Sequence, residues 1–331
     1  MQLDHLLDKI RATVKSHELS PGAYARYLWQ DPEGTRKMGA NEYGCADAAN
    51  ILYILGDMPR DLEVRQAFVQ QLQQFQNPET GLFWEGTHHA LHCTAHCIAA
   101  LELFDAGPRY LLTGLEHLKS RDKLEAFLDE LDWRHNAWSQ AHQGAGIYAA
   151  MILTGNADSQ WQEWYFRWLD RNTDPQYGLS KADTIHPEEY PVCNHLFGWF
   201  HYLFNFHFAH QPFPQIHKLI DTVIDLYRNN ALSDYFGIIP NFREIDWVFT
   251  LNRATMQCGY RRTEAIELLR DFAKKYIPAM EAIDSDTDDR WNDLHMLFGT
   301  VCALAELQIA LPGELKSKFP LKQVLGRRPF I

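Results

Sequence analysis

Six times along the 331-residue chain, a glycine-marked turn, or a short polar stretch in its place, leads into an apolar helical segment that opens with His, Asp or Tyr. The clearest copies are Asn77-Pro-Glu-Thr-Gly81, ahead of His88 and His92, and Asp174-Pro-Gln-Tyr-Gly178, ahead of His195. Asp31-Pro-Glu-Gly34 and Asp234-Tyr-Phe-Gly237 repeat the theme. Asp or Asn followed by Pro and Gly is turn chemistry, a fixed φ and then a permitted positive one. The first two signals lie 46 residues apart and the next lies 97 further on, about two units. A unit of ~45–50 residues repeated six times predicts helical hairpins that bury their faces on one another in a closed ring. Its active site is then expected at the N-terminal ends of the inner helices, where the polar openings converge.

Six segments have helical periodicity with Ala, Gly and Cys mixed among the apolar residues: 43–55, 88–104, 138–153, 193–208, 246–258 and 291–307. A helix apolar round most of its circumference is a buried helix. Between them lie amphipathic segments, 62–75, 110–131, 160–171, 215–229 and 263–282, which read as outer helices. The expected fold is all-α: one domain, residues 1–331, an (α/α)6 barrel (toroid) of six helical hairpins, with a short tail after Pro312. A short alternating run such as Gly237-Ile-Ile-Pro-Asn241 is the kind that pairs locally in a loop.

A net charge of −12 disfavours nucleic acid as a partner, which needs a basic surface. No stretch approaches the ~18 apolar residues of a membrane span. The opening Met1-Gln-Leu-Asp-His-Leu-Leu-Asp-Lys-Ile is an amphipathic helix start rather than a basic region followed by an apolar core, so no signal peptide is expected. Six cysteines sit mostly within apolar helical patterns, which fits small core residues in a reducing cytoplasm. A cytoplasmic protein with a small-molecule partner is the resulting expectation.

Aligned by apolar register, the inner segments open with Tyr43, His92, His142, His195, Asp246 and His295. Helix N-termini favour anions, and histidine exchanges protons near neutral pH. Trp84, Trp138, Trp247 and Tyr190 lie in or beside the same loops, and flat rings stack on sugar faces. In Asn241-Phe-Arg-Glu-Ile-Asp-Trp247, Arg243 suits a carboxylate and Asp246 an acid or base role. Each of these side chains also has a plainer reading as packing or helix capping. No cofactor is expected: there is no dinucleotide fingerprint and no close copy of the CxxC or HExxH metal signatures. His88, His92 and His96 share one helix face, yet three consecutive turns span ~12 Å, too far for one ion. At most two would bind, with a third ligand from another helix such as His142 or Cys45.

With its turn-and-helix repeat, the chain resembles the (α/α)6 toroid group: six-hairpin glycosidases, related polysaccharide lyases, and terpenoid cyclase and protein prenyltransferase rings. The resemblance implies a site in a central funnel and a carbohydrate-active enzyme that cleaves a small oligosaccharide, one bearing a uronic acid. It implies Asp246 as leading acid or base, assisted by His195 and His142. Arg243 would hold the anionic group; Trp84, Trp138 and Trp247 would stack on rings; Tyr43, His92 and His295 would contact the substrate. In the lyase variant, Tyr190, or Tyr260 in Gly259-Tyr-Arg-Arg262, acts with His195 to remove a proton beside a uronate and Asn194 steadies the charge. Two alternatives stand beside it. Asp286-Thr-Asp-Asp289 matches the DxDD pattern of class II terpenoid cyclases, although Arg290-Trp291 follows it in place of their usual Thr-Ala. A non-catalytic sugar-binding toroid would bind without turnover.

Overall fold

The structure, a computed structural model, describes residues 1–331, Ala141 by its backbone alone. It is mostly helical. Helices alternate in character along the chain: α1 (Asp4–Ser16) precedes α2 (Glu42–Leu55), α3 (Leu62–Gln73) precedes α4 (Ala90–Glu102), and α5 (Arg121–Glu130) precedes α6 (His142–Leu153). Then α7 (Ser159–Asn172) precedes α8 (Val192–Phe208), α9 (Ile216–Arg228) precedes α10 (Arg243–Cys258), and α11 (Arg262–Ala282) precedes α12 (Leu294–Ala310). The first of each pair is amphipathic. In α9, for example, Leu219, Ile220, Val223, Ile224 and Leu226 are buried and the opposite face is not. Each fully buried apolar side chain contributes roughly 1.5–3 kcal/mol. The second of each pair is buried on nearly every side, as in α12.

Capping fixes where these helices begin. Asn41 accepts from the Gly44 N–H, Asp61 from Glu63 and Val64, Asp158 from Trp161, and Asp293 from His295. Such caps contribute about 1 kcal/mol each. The two clearest turns share one geometry. Asn77 Oδ1 accepts from the Glu79 and Thr80 amides, and the Gly81 N–H reaches the Asn77 carbonyl at 2.8 Å. Asp174 does the same for Gln176 and Tyr177, with Gly178 returning to its carbonyl at 2.8 Å.

Neighbour relations among the buried helices run α2 to α4, α4 to α6, α6 to α8, α8 to α10, α10 to α12, and α12 back to α2. The amphipathic helices cover them: α3 packs on α2 and α4, α9 on α8 and α10, and α11 on α10 and α12. Glycines permit the close approach between buried neighbours. A Cβ on Gly198 would lie 2.4 Å from the Ala137 carbonyl oxygen, and one on Gly299 2.7 Å from that of Asn241. The chain entering one helix therefore crosses directly over a glycine of the next.

Two local expectations change. Strand pairing occurs not at 237–241 but between β1 (Glu18–Ser20) and β2 (Ala23–Tyr24), antiparallel. Residues 237–240 run through a turn and a bend instead, with the Gly237 N–H taken by the Glu244 carboxyl at 2.8 Å and no N–H on Pro240. The outer segment 110–131 is not one helix. A 3-10 helix, Thr113–Lys119, precedes α5, with Ser120 extended between them. Docking onto the 77–81 turn holds it there: the Thr113 hydroxyl donates to the Glu79 carbonyl at 2.6 Å and the Gly114 N–H to Thr80 at 2.9 Å.

Candidate functional site

A cavity of about 500 Å3 opens onto the N-terminal turns of α4, α6, α10 and α12. His88, His89 and His92 line it at the start of α4, Trp138 and His142 at the entry to α6, and Tyr190 ahead of α8. His201 lies midway along α8; Asn241, Phe242 and Arg243 lie at the start of α10, and His295 at the start of α12. Although the protein is acidic, no carboxylate side chain is among the lining residues. A groove of similar volume beside α7, about 520 Å3, presents Glu163, Arg167 and Asp170 and gathers no comparable set.

Behind the wall, Asp47 of α2 is fully buried and one of its oxygens takes two imidazole N–H groups: His96 Nε2 at 2.8 Å and His295 Nδ1 at 3.1 Å. Neutral tautomers suffice for both bonds. Burial pushes the Asp47 carboxyl up, but the two imidazoles outweigh it and hold the group well below the usual carboxylate range. With Nδ1 committed to Asp47, His295 keeps Nε2 for the cavity that it lines. Burial depresses His295 to about 4 against the pull of Asp47, so it stands neutral and able to accept a proton. Tyr43, also fully buried, hydrogen-bonds His92 Nδ1 at 2.6 Å and stacks beneath His88 with ring centroids 4.4 Å apart. Glu85 receives the Thr87 and His88 amides; burial raises it, but hydrogen bonds to His88 and Thr87 bring it down to about 2. Arg243 lies 5.1 Å over the Trp138 ring, and its Nη1 donates to Ser233 Oγ at 3.2 Å.

Among the residues singled out from sequence, the structure brings together His92, His142, His295, Tyr190, Trp138 and Arg243 in the cavity wall, with Tyr43 directly behind. It sets the others apart. Asp246 has no exposed surface, does not line the cavity, and neither of its oxygens has a hydrogen-bond partner among the described residues. Burial and the nearby Glu244 charge, opposed by Arg243, raise its pKa well above the ordinary value, and the group is closed off from the cavity. His195 is fully buried too, with Nδ1 on Ser180 Oγ at 3.1 Å and Tyr190 edge-on to its ring. Trp247 packs under Tyr227 and donates to the Val223 carbonyl at 3.1 Å. Trp84 stands on an exposed loop, and Asn194 faces a surface groove shared with Arg243. The Asp286–Asp289 stretch lies outside the cavity: Asp289 forms a forked pair with Arg36, both contacts 2.7 Å, and Asp288 caps the Arg290 amide.

Sequence reasoning did not single out His201 or the place of Asn241 in the wall. The signal for His201 was a lone polar side chain within Trp199-Phe200-His201-Tyr202-Leu203-Phe204. It lies six residues beyond His195 and thus ~120° round the helix from it.

No known protein-family model matches the chain, and no curated protein matches it at a significant level. No helix is long and apolar enough to cross a membrane.

Proposed function

We propose that the chain is an (α/α)6 toroid whose central cavity carries out a β-elimination on a uronate-containing oligosaccharide. The cyclic neighbour order of the six buried helices supports the toroid. For the chemistry, the observation that carries most weight is the make-up of the wall: imidazoles, a phenol, a guanidinium, an amide and two hydroxyls, without a carboxylate side chain. Glycoside hydrolysis ordinarily needs two carboxyl groups ~5–9 Å apart across the bond. Elimination needs instead a base for the carbon-bound proton, an acid for the leaving oxygen and a clamp for the carboxylate.

In this reading Arg243 and Asn241 hold the uronate carboxylate. His295 Nε2, backed by Asp47, takes the proton from the carbon next to it. That C–H electron pair becomes the new C=C bond, the C–O bond to the neighbouring sugar breaks, and Tyr190 gives its proton to the departing oxygen. Burial raises the Tyr190 phenol above its ordinary value, which keeps the donor protonated at neutral pH. Trp138 offers a face for a sugar ring.

Incubating the protein with saturated and unsaturated uronate oligosaccharides, with ultraviolet absorbance and product mass followed together, tests this. A gain of absorbance supports elimination. A loss of absorbance with a smaller sugar would replace it with hydrolysis, and silence across the panel would remove the carbohydrate reading. Tyr190→Phe and His295→Gln are each expected to lower kcat by about 10^2–10^4.

A further inference from the structure

Three imidazoles from three successive buried helices converge on one spot in the cavity: His92 of α4, His142 of α6 and His201 of α8. One ring nitrogen of each lies within 4.8 Å of the other two. We infer that they form a binding site for a divalent transition-metal ion of borderline softness, zinc above all, with a fourth coordination position open to the cavity. The inference stands apart from the elimination reading and needs no substrate.

The donor set selects the ion. Hard cations such as calcium and magnesium demand oxygen ligands, and this spot supplies none from a side chain; imidazole nitrogen suits zinc, copper, cobalt and nickel. A tetrahedral zinc with Zn–N bonds of ~2.0–2.1 Å needs nitrogens roughly 3.4 Å apart. Nitrogens within 4.8 Å of one another therefore close by at most ~1.4 Å on binding, within reach of side-chain rotations.

The ring orientations suit ligation. His201 Nδ1 faces the Phe197 carbonyl at 3.0 Å. A carbonyl only accepts, so Nδ1 carries the proton and Nε2 carries the lone pair. His92 Nδ1 meets the Tyr43 hydroxyl at 2.6 Å, and with that oxygen accepting, Nε2 of His92 is freed in the same way. A second-shell acceptor on the distal nitrogen is the usual support of a ligating histidine.

The rings touch edge and face, with centroids 4.5 Å apart for His92 and His142 and 5.5 Å for His142 and His201, so a purely packed cluster is the competing explanation. The second close group, Asp47 with His96 and His295, differs. Both of its imidazoles already direct an N–H at Asp47, and a metal would have to break those bonds.

The test is zinc binding to the full chain after chelator treatment, by calorimetry and by competition with a chromophoric chelator, together with the visible spectrum of the cobalt-loaded protein. One ion per chain is expected, with an intense tetrahedral-type cobalt spectrum. His142→Gln and His201→Ala are each expected to weaken binding at least ~100-fold. Asp47→Asn and the surface change His186→Ala leave it unchanged. Circular dichroism shows whether each variant is folded. Should a variant fail to fold, the wild-type stoichiometry and cobalt spectrum decide alone. No stoichiometric uptake by the wild type, a cobalt spectrum like the hydrated ion, or full zinc affinity in folded His142→Gln would overturn the site and leave a packed cluster.

Discussion

Glu244 is where burial and charge collide most measurably. It lies in the first turn of α10 with no exposed surface; one carboxyl oxygen accepts the Gly237 N–H at 2.8 Å and the other has no partner among the described residues. Burial raises its pKa from 4.5 to about 7, with the Gly237 hydrogen bond and the Arg243 charge pulling the other way. Because the folded pKa is the higher one, folding favours the protonated acid. Stability from this group is full below the unfolded value, declines as pH rises from about 4.5 towards 7, and then levels off. At 1.36 kcal/mol per pH unit the whole decline amounts to roughly 3 kcal/mol. Glu244→Gln keeps an acceptor for Gly237 and removes the titration. The variant is expected to exceed the wild type by roughly 3 kcal/mol at pH 8 and by only about 0.4 kcal/mol at pH 4.5. For a chain of this length that corresponds to a melting temperature about 4 °C higher at pH 8 and barely changed at pH 4.5. Asp246 adds to the gain, since losing the Glu244 charge removes one of the causes that raise its own pKa. Thermal and urea unfolding at the two pH values, followed by circular dichroism at constant ionic strength, measures the difference. An equal advantage at both pH values, or a variant weaker at pH 8, would refute the assignment of the cost to a buried charge.

Asp47→Asn replaces a carboxylate that accepts two N–H groups with an amide that also donates; on the elimination reading kcat falls by about 10^2–10^4 while zinc affinity holds. Gly198→Ala places a methyl 2.4 Å from the Ala137 carbonyl oxygen, so helix propensity is overruled by the clash. It is expected to cost about 1–3 kcal/mol, and a raised melting temperature would count against the close crossing of α8 over the chain entering α6.

The helices were legible because their signals are local. Inner and outer segments differ in how far the apolar face extends, and turns such as 77–81 and 174–178 advertise Asx geometry and a left-handed glycine. The N-terminal ends of the buried helices are polar in the sequence pattern, and His92, His142, His295 and Arg243 line one cavity. What local pattern could not separate was the direction of side chains within the same opening turns. Asp246 follows Arg243 by three residues, yet Arg243 reaches the cavity and Asp246 is sealed. His195 opens α8 and faces Ser180, while His201, deeper in an aromatic run, reaches the cavity. Direction depends on helix rotation, which is set by packing between segments far apart in sequence. The tail was read only as an extension after Pro312, but Phe330 packs against His92, His201 and Phe204 and closes that side of the imidazole cluster.

The histidines around the cavity divide by what stands behind them. His96 and His295 share a buried carboxylate, and for His295 the Asp47 charge opposes the lowering that burial imposes. His92 and His201 are backed by neutral oxygens: the Tyr43 phenol, which can donate or accept, and the Phe197 carbonyl, which fixes the His201 tautomer. Burial compounds the difference, since a proton added to one member of an uncompensated trio repels the rest. Tyr43 lies between the sets, with its hydroxyl on His92 and its ring edge-on to His295 at 4.7 Å. On the proposed elimination and zinc site, one wall would hold proton transfer and ion binding in adjacent but electrostatically distinct places. The distinction is measurable: a variant at Asp47 should disturb the proton-transfer half alone, and a variant at His201 the ion-binding half first.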